Sequence, residues 1–538
     1  MSRQYVNGEQ ALAWGAVEAG VSVVAGYPGS PGTNTFNALQ AMSKDHDHHT
    51  EWCVNERIAL DIGAGSSQGG KRALVCLKSV GMNVALDTLM VLNMTGTHAG
   101  LVILMGDDPG AWGSQNEQDT RPIAPFAELP MVEPSNPAEG RATMKWAFEY
   151  SEQHQTIVIM RITRSYSVQI EEVDALDAPS TKPSLEPARE PWRFVSALKT
   201  VDRSHRRLHK KLATIESEFE TSSLNSFTGS GKKGIITTGF VHTKFQEAVE
   251  GADLSDVAVL KLGTIYPLPA QKIGDFLKNR DEVLVFEEVD PYLEDAIKTV
   301  GYDAGASAKI LGKRTGDVNW VGELFRWHIQ DTLRSFLPGF SPANTYTEEN
   351  WEEEKPFRKA HCSGCPYVEI ILAFRDEAEK LGQNPFMAGD PGCLVIAAEY
   401  LDAKLCMGSA FGVASGWASA GVTERTVAVV GDSAFYHGGL PALVQARATN
   451  ANTLTLVLDN GGALTTGGQP TPDGGIDLGD GTGPTVGIDR IARACGVDPI
   501  WEVTESDSEE RMREVFREAL QNDSLSMVIV RKACKPVD

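Results

Sequence analysis

Two apolar runs near the C-terminal end of the chain each stop at a side chain that carries an oxygen ligand. Residues 426–433 read Thr-Val-Ala-Val-Val-Gly-Asp-Ser, and residues 453–460 read Thr-Leu-Thr-Leu-Val-Leu-Asp-Asn. A helical stretch joins them, so the pattern predicts two parallel strands that bring Asp432 and Asn460 to the same edge of a sheet. A carboxylate and an amide oxygen at that edge suit a Mg²⁺ ion that holds a diphosphate.

The residues around this pair favour the same chemistry. The backbone carbonyl of Gly462 could complete the protein ligands of the metal, and Ser433 with the N-terminus of the following helix would face phosphate oxygens. Taken alone, Gly431-Asp-Ser is more typical of a turn at the end of a strand. The Asp-Asn pair at the end of the next apolar run favours the diphosphate site, and the arrangement resembles the thiamine diphosphate (ThDP) signature.

Four of the eight cysteines lie in or beside turns marked by Gly and Pro or by basic residues. Cys362 and Cys365 form Cys-Ser-Gly-Cys-Pro, Cys393 ends Gly-Asp-Pro-Gly-Cys, and Cys534 follows a predicted strand at residues 527–530. This distribution suits convergence on one centre, either zinc or a [4Fe–4S] cluster. The spacing alone favours zinc; buried cysteines without a ligand and a redox C-x-x-C remain alternatives.

Strand and helix patterns alternate along most of the chain, which predicts an α/β protein with several parallel-sheet domains. Polar, basic and Ser/Gly-rich stretches separate the apolar strands and set the expected boundaries. We expect domains at residues 1–185, 233–345 and 355–538, with a linker that contains a basic helix at residues 186–232.

Composition excludes several classes of partner. The 538 residues carry a formal net charge of −23, which disfavours binding to nucleic acid or to an anionic membrane surface. No segment approaches the roughly 18 continuous apolar residues of a membrane span, and the polar start Met-Ser-Arg-Gln does not resemble a signal peptide. We therefore expect a cytoplasmic protein.

Nearly the whole chain resembles the ThDP-dependent 2-oxoacid:ferredoxin oxidoreductases, most closely the large (alpha) subunits of the indolepyruvate ferredoxin oxidoreductases. The motifs that carry the resemblance are Gly26-Tyr-Pro-Gly-Ser-Pro-Gly32, Val54-Asn-Glu56, Ser114-Gln-Asn-Glu-Gln-Asp119, Cys362-Ser-Gly-Cys-Pro366, Gly389-Asp-Pro-Gly-Cys393 and Gly431-Asp-Ser-Ala-Phe-Tyr-His437.

The resemblance implies a pyrimidine-binding ThDP domain at residues 1–185, a domain like the transketolase C-terminal domain at residues 233–345, and a diphosphate-binding domain at residues 355–538. It also implies that four cysteines bind a [4Fe–4S] cluster, which replaces zinc as the expected occupant. These cysteines are Cys362, Cys365, Cys393 and Cys534.

Four further residues are candidates for the reaction. Glu56 matches the glutamate that activates ThDP in the family, although a Glu at a helix N-terminus is also favoured by the helix dipole. Ser30 stands where the family often has Thr and keeps a hydroxyl for cofactor or substrate. Arg121 is a candidate for binding the substrate carboxylate, with a surface ion pair as the alternative. His437 could face the reacting carbonyl or support the site from behind.

The activity that the resemblance implies is oxidative decarboxylation of a 2-oxoacid, such as the arylpyruvate indolepyruvate, to acyl-CoA and CO₂. Electrons would pass through the cluster to ferredoxin or a similar carrier, with CoA as co-substrate. The expected assembly is a hetero-oligomer of a small beta-type subunit with a dimer of alpha subunits. The alternatives are a non-oxidative ThDP-dependent decarboxylase and an architectural ThDP-binding subunit that is inactive without partners.

The sequence differs from the family in one respect. The alpha subunits normally carry a C-terminal ferredoxin-like domain with further cysteine motifs, whereas this sequence ends four residues after Cys534. We therefore expect onward electron transfer to depend on a separate carrier or subunit.

Overall fold

The computed structural model describes residues 3–179, 182–350, 365–395, 397–476 and 483–534. The chain divides into two compact units. The first comprises residues 1–50 and 56–358, and the second comprises residues 51–55 and 359–538. Both contain sheets that are largely parallel with helices between the strands, so the predicted α/β class is confirmed.

The first unit contains strands of three sheets. These strands are β1 (Arg3–Asn7), β2 (Val23–Gly26), β3 (His49–Trp52), β4 (Ala73–Lys78), β5 (Leu101–Asp107), β6 (Met131–Val132), β7 (Val158–Thr163), β8 (Ile170–Asp174), β9 (Ser226–Gly229), β10 (Lys233–Thr238), β11 (Val257–Leu262), β12 (Thr264–Tyr266), β13 (Glu282–Phe286) and β14 (Lys309–Leu311).

Its helices connect these strands. They are α1 (Gly8–Glu18), α2 (Thr33–His46), α3 (Glu56–Gln68), α4 (Ser79–Thr95), α5 (Ile123–Ala127), α6 (Pro137–His154), α7 (Arg164–Val168), α8 (Pro191–Phe194), α9 (Val201–Phe219), α10 (Gly239–Ala248), α11 (Ala270–Lys278), α12 (Tyr292–Asp303) and α13 (Arg326–Phe336).

A seven-stranded sheet in the order β12-β6-β7-β5-β4-β2-β3 forms the centre of the first unit. Strands β2, β4, β5, β7 and β6 pair in parallel, and every residue of β4, β5 and β7 is buried. Near-continuous apolar runs of this kind are typical of parallel strands covered by helices on both faces. A five-stranded sheet has the order β14-β13-β10-β11-β9, and β1 pairs with β8 as a separate two-stranded sheet.

Two strands differ from the expected organisation. Strand β9 lies inside residues 186–232, predicted as a linker, and pairs antiparallel with β11 as the edge of the five-stranded sheet. Strand β12 lies in the predicted second domain but pairs antiparallel with β6 of the seven-stranded sheet. Every residue of β9 is exposed, and β12 and its partner β6 have only three and two residues, so the sequence carries no clear signal for either pairing.

The second unit is built on one parallel sheet. Its strands are β15 (Phe386–Gly389), β16 (Ala403–Lys404), β17 (Thr426–Gly431), β18 (Thr453–Asp459), β19 (Ile500–Val503) and β20 (Ser526–Arg531). Its helices are α14 (Pro366–Lys380), α15 (Ser409–Ser419), α16 (Asp432–Ala434), α17 (Leu440–Ala448), α18 (Ile488–Ala494) and α19 (Glu509–Leu520). The strand order is β16-β15-β17-β18-β20-β19.

Alternate residues of the central strands pack on opposite faces of this sheet. Val427 and Val429 of β17 join one buried cluster with α14 and α19, whereas Ala428 and Val430 join another with α15 and α17. The two-residue period of a strand therefore builds two hydrophobic layers, and these layers fix the register of β17 between its neighbours. Among the helices of the described residues, none is long and apolar enough to cross a bilayer.

Candidate active site

The carboxyl ends of β17 and β18 meet at one edge of the second unit's sheet, as predicted. The strands pair in parallel with Gly431 opposite Leu458, so Asp432 and Asn460 directly follow neighbouring strand ends. Strand β15 lies on the other side of β17, and the chain leaves β15 toward β16 before it returns to β17. The connections therefore change direction between β15 and β17, and ligands of open α/β sheets bind at such switch points.

Asp432 and Asn460 each have a buried side-chain oxygen that receives no hydrogen bond from the described residues. Asp432 is 2% exposed; its Oδ1 accepts a hydrogen bond from the Ser433 N–H at 2.8 Å, whereas its Oδ2 is unsatisfied. Oδ1 of Asn460 is unsatisfied in the same way. Burial and repulsion from Asp459 raise the pKa of Asp432 to about 7. Unpaired buried oxygens are costly in a folded protein, and a divalent cation would satisfy both.

Gly462 and Ser433 lie beside this pair. Gly462 is buried, its backbone N–H lowers the pKa of Asp432, and its carbonyl accepts the N–H of Leu464 at 3.0 Å. Its carbonyl oxygen keeps a second lone pair for a metal. Ser433 is half-buried in the first turn of α16, which continues through a π-helical turn at Phe435–Gly439 into α17. Together these residues fit the predicted cradle for Mg²⁺ and a diphosphate.

Asp390 is a third buried carboxyl group at this edge, and sequence reasoning missed it. It follows the last residue of β15 and is completely buried. Its Oδ1 accepts the Ala410 N–H at the start of α15 at 2.9 Å, whereas Oδ2 receives no hydrogen bond from the described residues. Burial raises the pKa of Asp390 to about 6. The signal that identified Asp432, a carboxylate directly after an apolar strand, was also present at Asp390.

His437 lies in the π-helical turn Phe435–Gly439 and is 8% exposed. The nearby imidazole lowers the pKa of Asp390, although burial outweighs this effect. The histidine is therefore close to the switch point between β15 and β17. π-Helical turns occur frequently at functional sites, and a role for His437 in the reaction stays a prediction.

Tyr367 connects the cysteine turns to the strand ends. It is 4% exposed in the first turn of α14 and donates a hydrogen bond from its hydroxyl to the Leu458 carbonyl at 2.6 Å. Burial raises the pKa of Tyr367, and the negative charges of Asp432, Cys393 and Cys365 raise it further. Both cysteines pack on the hydrophobic cluster that contains this tyrosine. Cys365 and Cys393, two of the four predicted iron–sulfur ligands, therefore lie near the sheet edge that carries Asp432.

The structure places one of the other two predicted cysteine ligands. Cys362 lies outside the described residues, and Cys534 is half-buried beyond the end of β20. Cys393 Sγ lies 3.1 Å from Thr465 Oγ1, in the loop that follows Asn460.

In the first unit, Glu56 begins α3 as predicted and is 6% exposed. Its carboxylate packs against Gly81 in the first turn of α4, where a Cβ would lie only 2.5 Å from Glu56 Oε1. A glycine is therefore required at residue 81 for the carboxylate to occupy this position. Ser30 is exposed in the turn that precedes α2.

Arg121 does not fit either role expected for it. The side chain is completely buried, and its guanidinium donates to Asp119, to Glu287 Oε2 at 2.7 Å, and to the carbonyls of Glu288 and Asp290. It is neither a surface ion pair nor open to a substrate carboxylate. Arg121 is occupied in this way because Glu287, which is distant in sequence, lies next to it in the folded unit.

Comparison with known proteins agrees with this site. Residues 390–530 match the family model described as "Thiamine pyrophosphate enzyme, C-terminal TPP binding domain". The indolepyruvate oxidoreductase subunit IorA of Methanothermobacter marburgensis is 34% identical over 99% of this chain and 87% of its own length. That of Pyrococcus abyssi is 32% identical over 98% of this chain and 85% of its own length. The chain belongs to the family of indolepyruvate oxidoreductase IorA subunits.

As a member of the IorA family, the protein is an oxidoreductase. A solved structure, the 2-oxoglutarate:ferredoxin oxidoreductase from Magnetococcus marinus with 2-oxoglutarate, coenzyme A and succinyl-CoA bound, shares the fold with a TM-score of 0.50 at 13% identity. The match covers 62% of this chain and 65% of that one. The predicted family and the ThDP-type fold are confirmed.

Proposed function

We propose that the protein catalyses the oxidative decarboxylation of a 2-oxoacid, namely an arylpyruvate such as indolepyruvate, in complex with a small beta-type subunit. One 2-oxoacid anion and one CoA thiol would give one acyl-CoA, one CO₂ and one proton, with two electrons passing through a [4Fe–4S] cluster to ferredoxin or a similar carrier. The single observation that best supports this proposal is the pair of unsatisfied buried oxygens on Asp432 and Asn460, within the segment that matches the TPP-binding domain.

The residues present fit ThDP and Mg²⁺. Asp432, Asn460 and the Gly462 carbonyl would hold the metal, and Ser433 with the start of α16 would donate to phosphate oxygens. ThDP supplies a carbon nucleophile that allows the bond beside a carbonyl to break. Glu56 would hydrogen-bond to the pyrimidine ring and hold a proton there, and His437 would lie toward the substrate carbonyl.

The cysteines would hold the electron acceptor. Cys362, Cys365, Cys393 and Cys534 are the proposed ligands, and Cys365 and Cys393 pack on the hydrophobic cluster that contains Tyr367. An iron–sulfur cluster bound by these cysteines would distinguish an oxidoreductase from a simple ThDP-dependent decarboxylase, which would release an aldehyde instead.

The activity is tested by an anaerobic assay of the chain with its small subunit, CoA and a viologen dye. Indolepyruvate, phenylpyruvate, pyruvate and 2-oxoglutarate are compared, and acyl-CoA, CO₂ and reduced dye are measured together. We expect dye reduction that requires CoA and gives two electrons for each CO₂. Release of CO₂ and aldehyde without dye reduction would instead identify a non-oxidative decarboxylase. Activity that appears only with the small subunit would show that the chain depends on its partner.

We expect Cys393→Ser to abolish the cluster, because loss of one of four thiolate ligands leaves an iron without its preferred donor. Anaerobically prepared protein should lose its broad visible absorption, and iron and sulfide content should fall to a small fraction of that of the parent. Cys495→Ser is the matched control, because Cys495 packs against a different hydrophobic cluster near α18. Equal iron content in both variants would contradict the assignment of Cys393.

We expect Gly81→Ala to lower turnover about 10- to 100-fold, because a methyl group there would displace the Glu56 carboxylate from its position. The rate is measured at saturating ThDP, and circular dichroism shows whether the fold is retained. Gly65→Ala in α3 is the control, since a methyl group at Gly65 meets nothing within 4 Å and alanine is the better helix former. If both variants turn over at the parental rate, the Glu56 carboxylate does not act at this position.

A further inference from the structure

Two histidines of α9 and one glutamate of the turn after α5 bring three ligand atoms together on the surface of the first unit. His205 and His209 lie one helical turn apart, so both imidazoles project from the same side of α9. His205 Nε2 lies 3.2 Å from Glu128 Oε2, and His209 Nε2 lies 2.6 Å from Glu128 Oε1. One ligand atom from each of the three residues lies within 4.8 Å of the other two. This cluster shares no residue with the proposed ThDP or iron–sulfur sites.

Packing on both sides holds the cluster in place. The adjacent side of α9 is anchored by Leu208, Ile215 and Phe219, which are all buried. Glu128 follows the last residue of α5 with a left-handed backbone at a φ of 55°, and its N–H donates to the Ala124 carbonyl.

The turn that carries Glu128 is fixed by a second contact. The buried Asn93 side chain donates to the Ala127 carbonyl at 2.8 Å. The Glu128 side chain is 22% exposed, against 46% for His205 and 58% for His209. The carboxylate is therefore placed before any ligand arrives, and the imidazoles remain open to solvent on one side.

We propose that Glu128, His205 and His209 bind a divalent transition-metal ion, with Zn²⁺ the best fit. Zinc bonds to imidazole nitrogen and carboxylate oxygen are about 2.0–2.2 Å long, which places neighbouring ligand atoms about 3.3 Å apart in a tetrahedron. The two histidines contact different oxygens of Glu128, and one ligand atom from each residue lies within 4.8 Å of the other two, so each separation must change by no more than about 1.5 Å to reach this value. Two imidazoles and one carboxylate select zinc, copper or nickel over Mg²⁺ or Ca²⁺.

A bound ion would join α9 to the turn after α5. Three protein ligands leave at least one position of the ion for water. The basic character of α9 opposes the binding of a cation, but the guanidinium of Arg206 is paired with Asp202 at 3.0 Å. The competing arrangement is the ion pair alone, in which protonated imidazoles hold the Glu128 carboxylate without a metal.

The test compares three forms of the full chain by titration with Zn²⁺ and, for spectra, with Co²⁺. The double variant His205→Ala/His209→Ala removes both imidazoles, and Arg206→Ala/Lys210→Ala on the same helix is the matched control. We expect the parent and the control to bind one equivalent more than the histidine variant. Because the cysteines and the other histidines are present in all three forms, their metal binding cancels in the difference.

Three further measurements keep the result interpretable. The additional Co²⁺ equivalent should show weak visible bands without the intense sulfur-to-metal absorption that thiolate ligands give. Glu128→Gln, which keeps both imidazoles, should weaken the affinity of that equivalent about 10- to 100-fold. Zn²⁺ should raise the midpoint of thermal unfolding of the parent more than that of the histidine variant. Equal stoichiometry in the parent and the histidine variant, with both folded, would overturn the proposal and leave an ion pair only.

Discussion

Asp432→Asn is expected to reduce the Mg²⁺-dependent affinity for ThDP by at least about 100-fold, the largest effect of any single change at the proposed site. The substitution keeps the shape of the side chain but removes the charge that would bind the cation. Calorimetric titration of ThDP in the presence of Mg²⁺ measures the loss. Asp523→Asn is the control, since Asp523 is exposed and distant in sequence from the strand ends.

The same variant should make the cofactor-free protein more resistant to heat at pH 8. Burial and repulsion from Asp459 raise the pKa of Asp432 to about 7. A carboxyl group with a raised pKa in the folded state favours folding in its neutral form, so its ionisation costs stability as the pH rises through 7. An amide at residue 432 avoids this cost. Unchanged ThDP affinity in Asp432→Asn would contradict the metal site, whatever the thermal midpoint shows.

Arg121→Met is expected to destabilise the first unit by about 3–5 kcal/mol, because it leaves the buried carboxylates of Asp119 and Glu287 without their cation. Burial would raise the pKa of Asp119, but the Arg121 guanidinium holds it below its ordinary value. Urea or thermal unfolding followed by circular dichroism measures the change.

Arg314→Met provides the comparison for Arg121. Arg314 pairs with Asp295 at 2.7 Å, but both side chains are about half exposed, so water screens the pair and its loss should change stability little. If Arg121→Met keeps the parental stability but has a raised KM for the 2-oxoacid, Arg121 binds the substrate carboxylate, contrary to its buried position.

Sequence patterns determined much of the second unit. The parallel pairing of β17 with β18 and the common edge of Asp432 and Asn460 follow from two uninterrupted apolar runs joined by a helix. Such strands are buried on both faces, so their composition identifies them without any knowledge of partners. The C-x-x-C turn and the Gly-Asp-Pro-Gly-Cys turn were equally visible, because glycine, proline and cysteine carry local signals.

Contacts between distant segments were not visible in the same way. Arg121 reads as an available cation in the sequence, but Asp119, Glu287 and two backbone carbonyls surround it in the fold. Gly81 carries no signal of its contact with Glu56, and the exposed strand β9 has no apolar alternation.

The histidine pair of α9 illustrates both what a local sequence pattern predicts and what only a tertiary contact decides. Its spacing predicts that the two imidazoles share one side of a helix, because the period of the helix is a local property. That Glu128 completes the cluster was decided only by the packing of α9 beside the turn after α5. The sequence by itself determined which residues lie at strand ends and on helix faces. The tertiary structure decided which of those residues meet, since burial and charge compensation depend on side chains far apart along the chain.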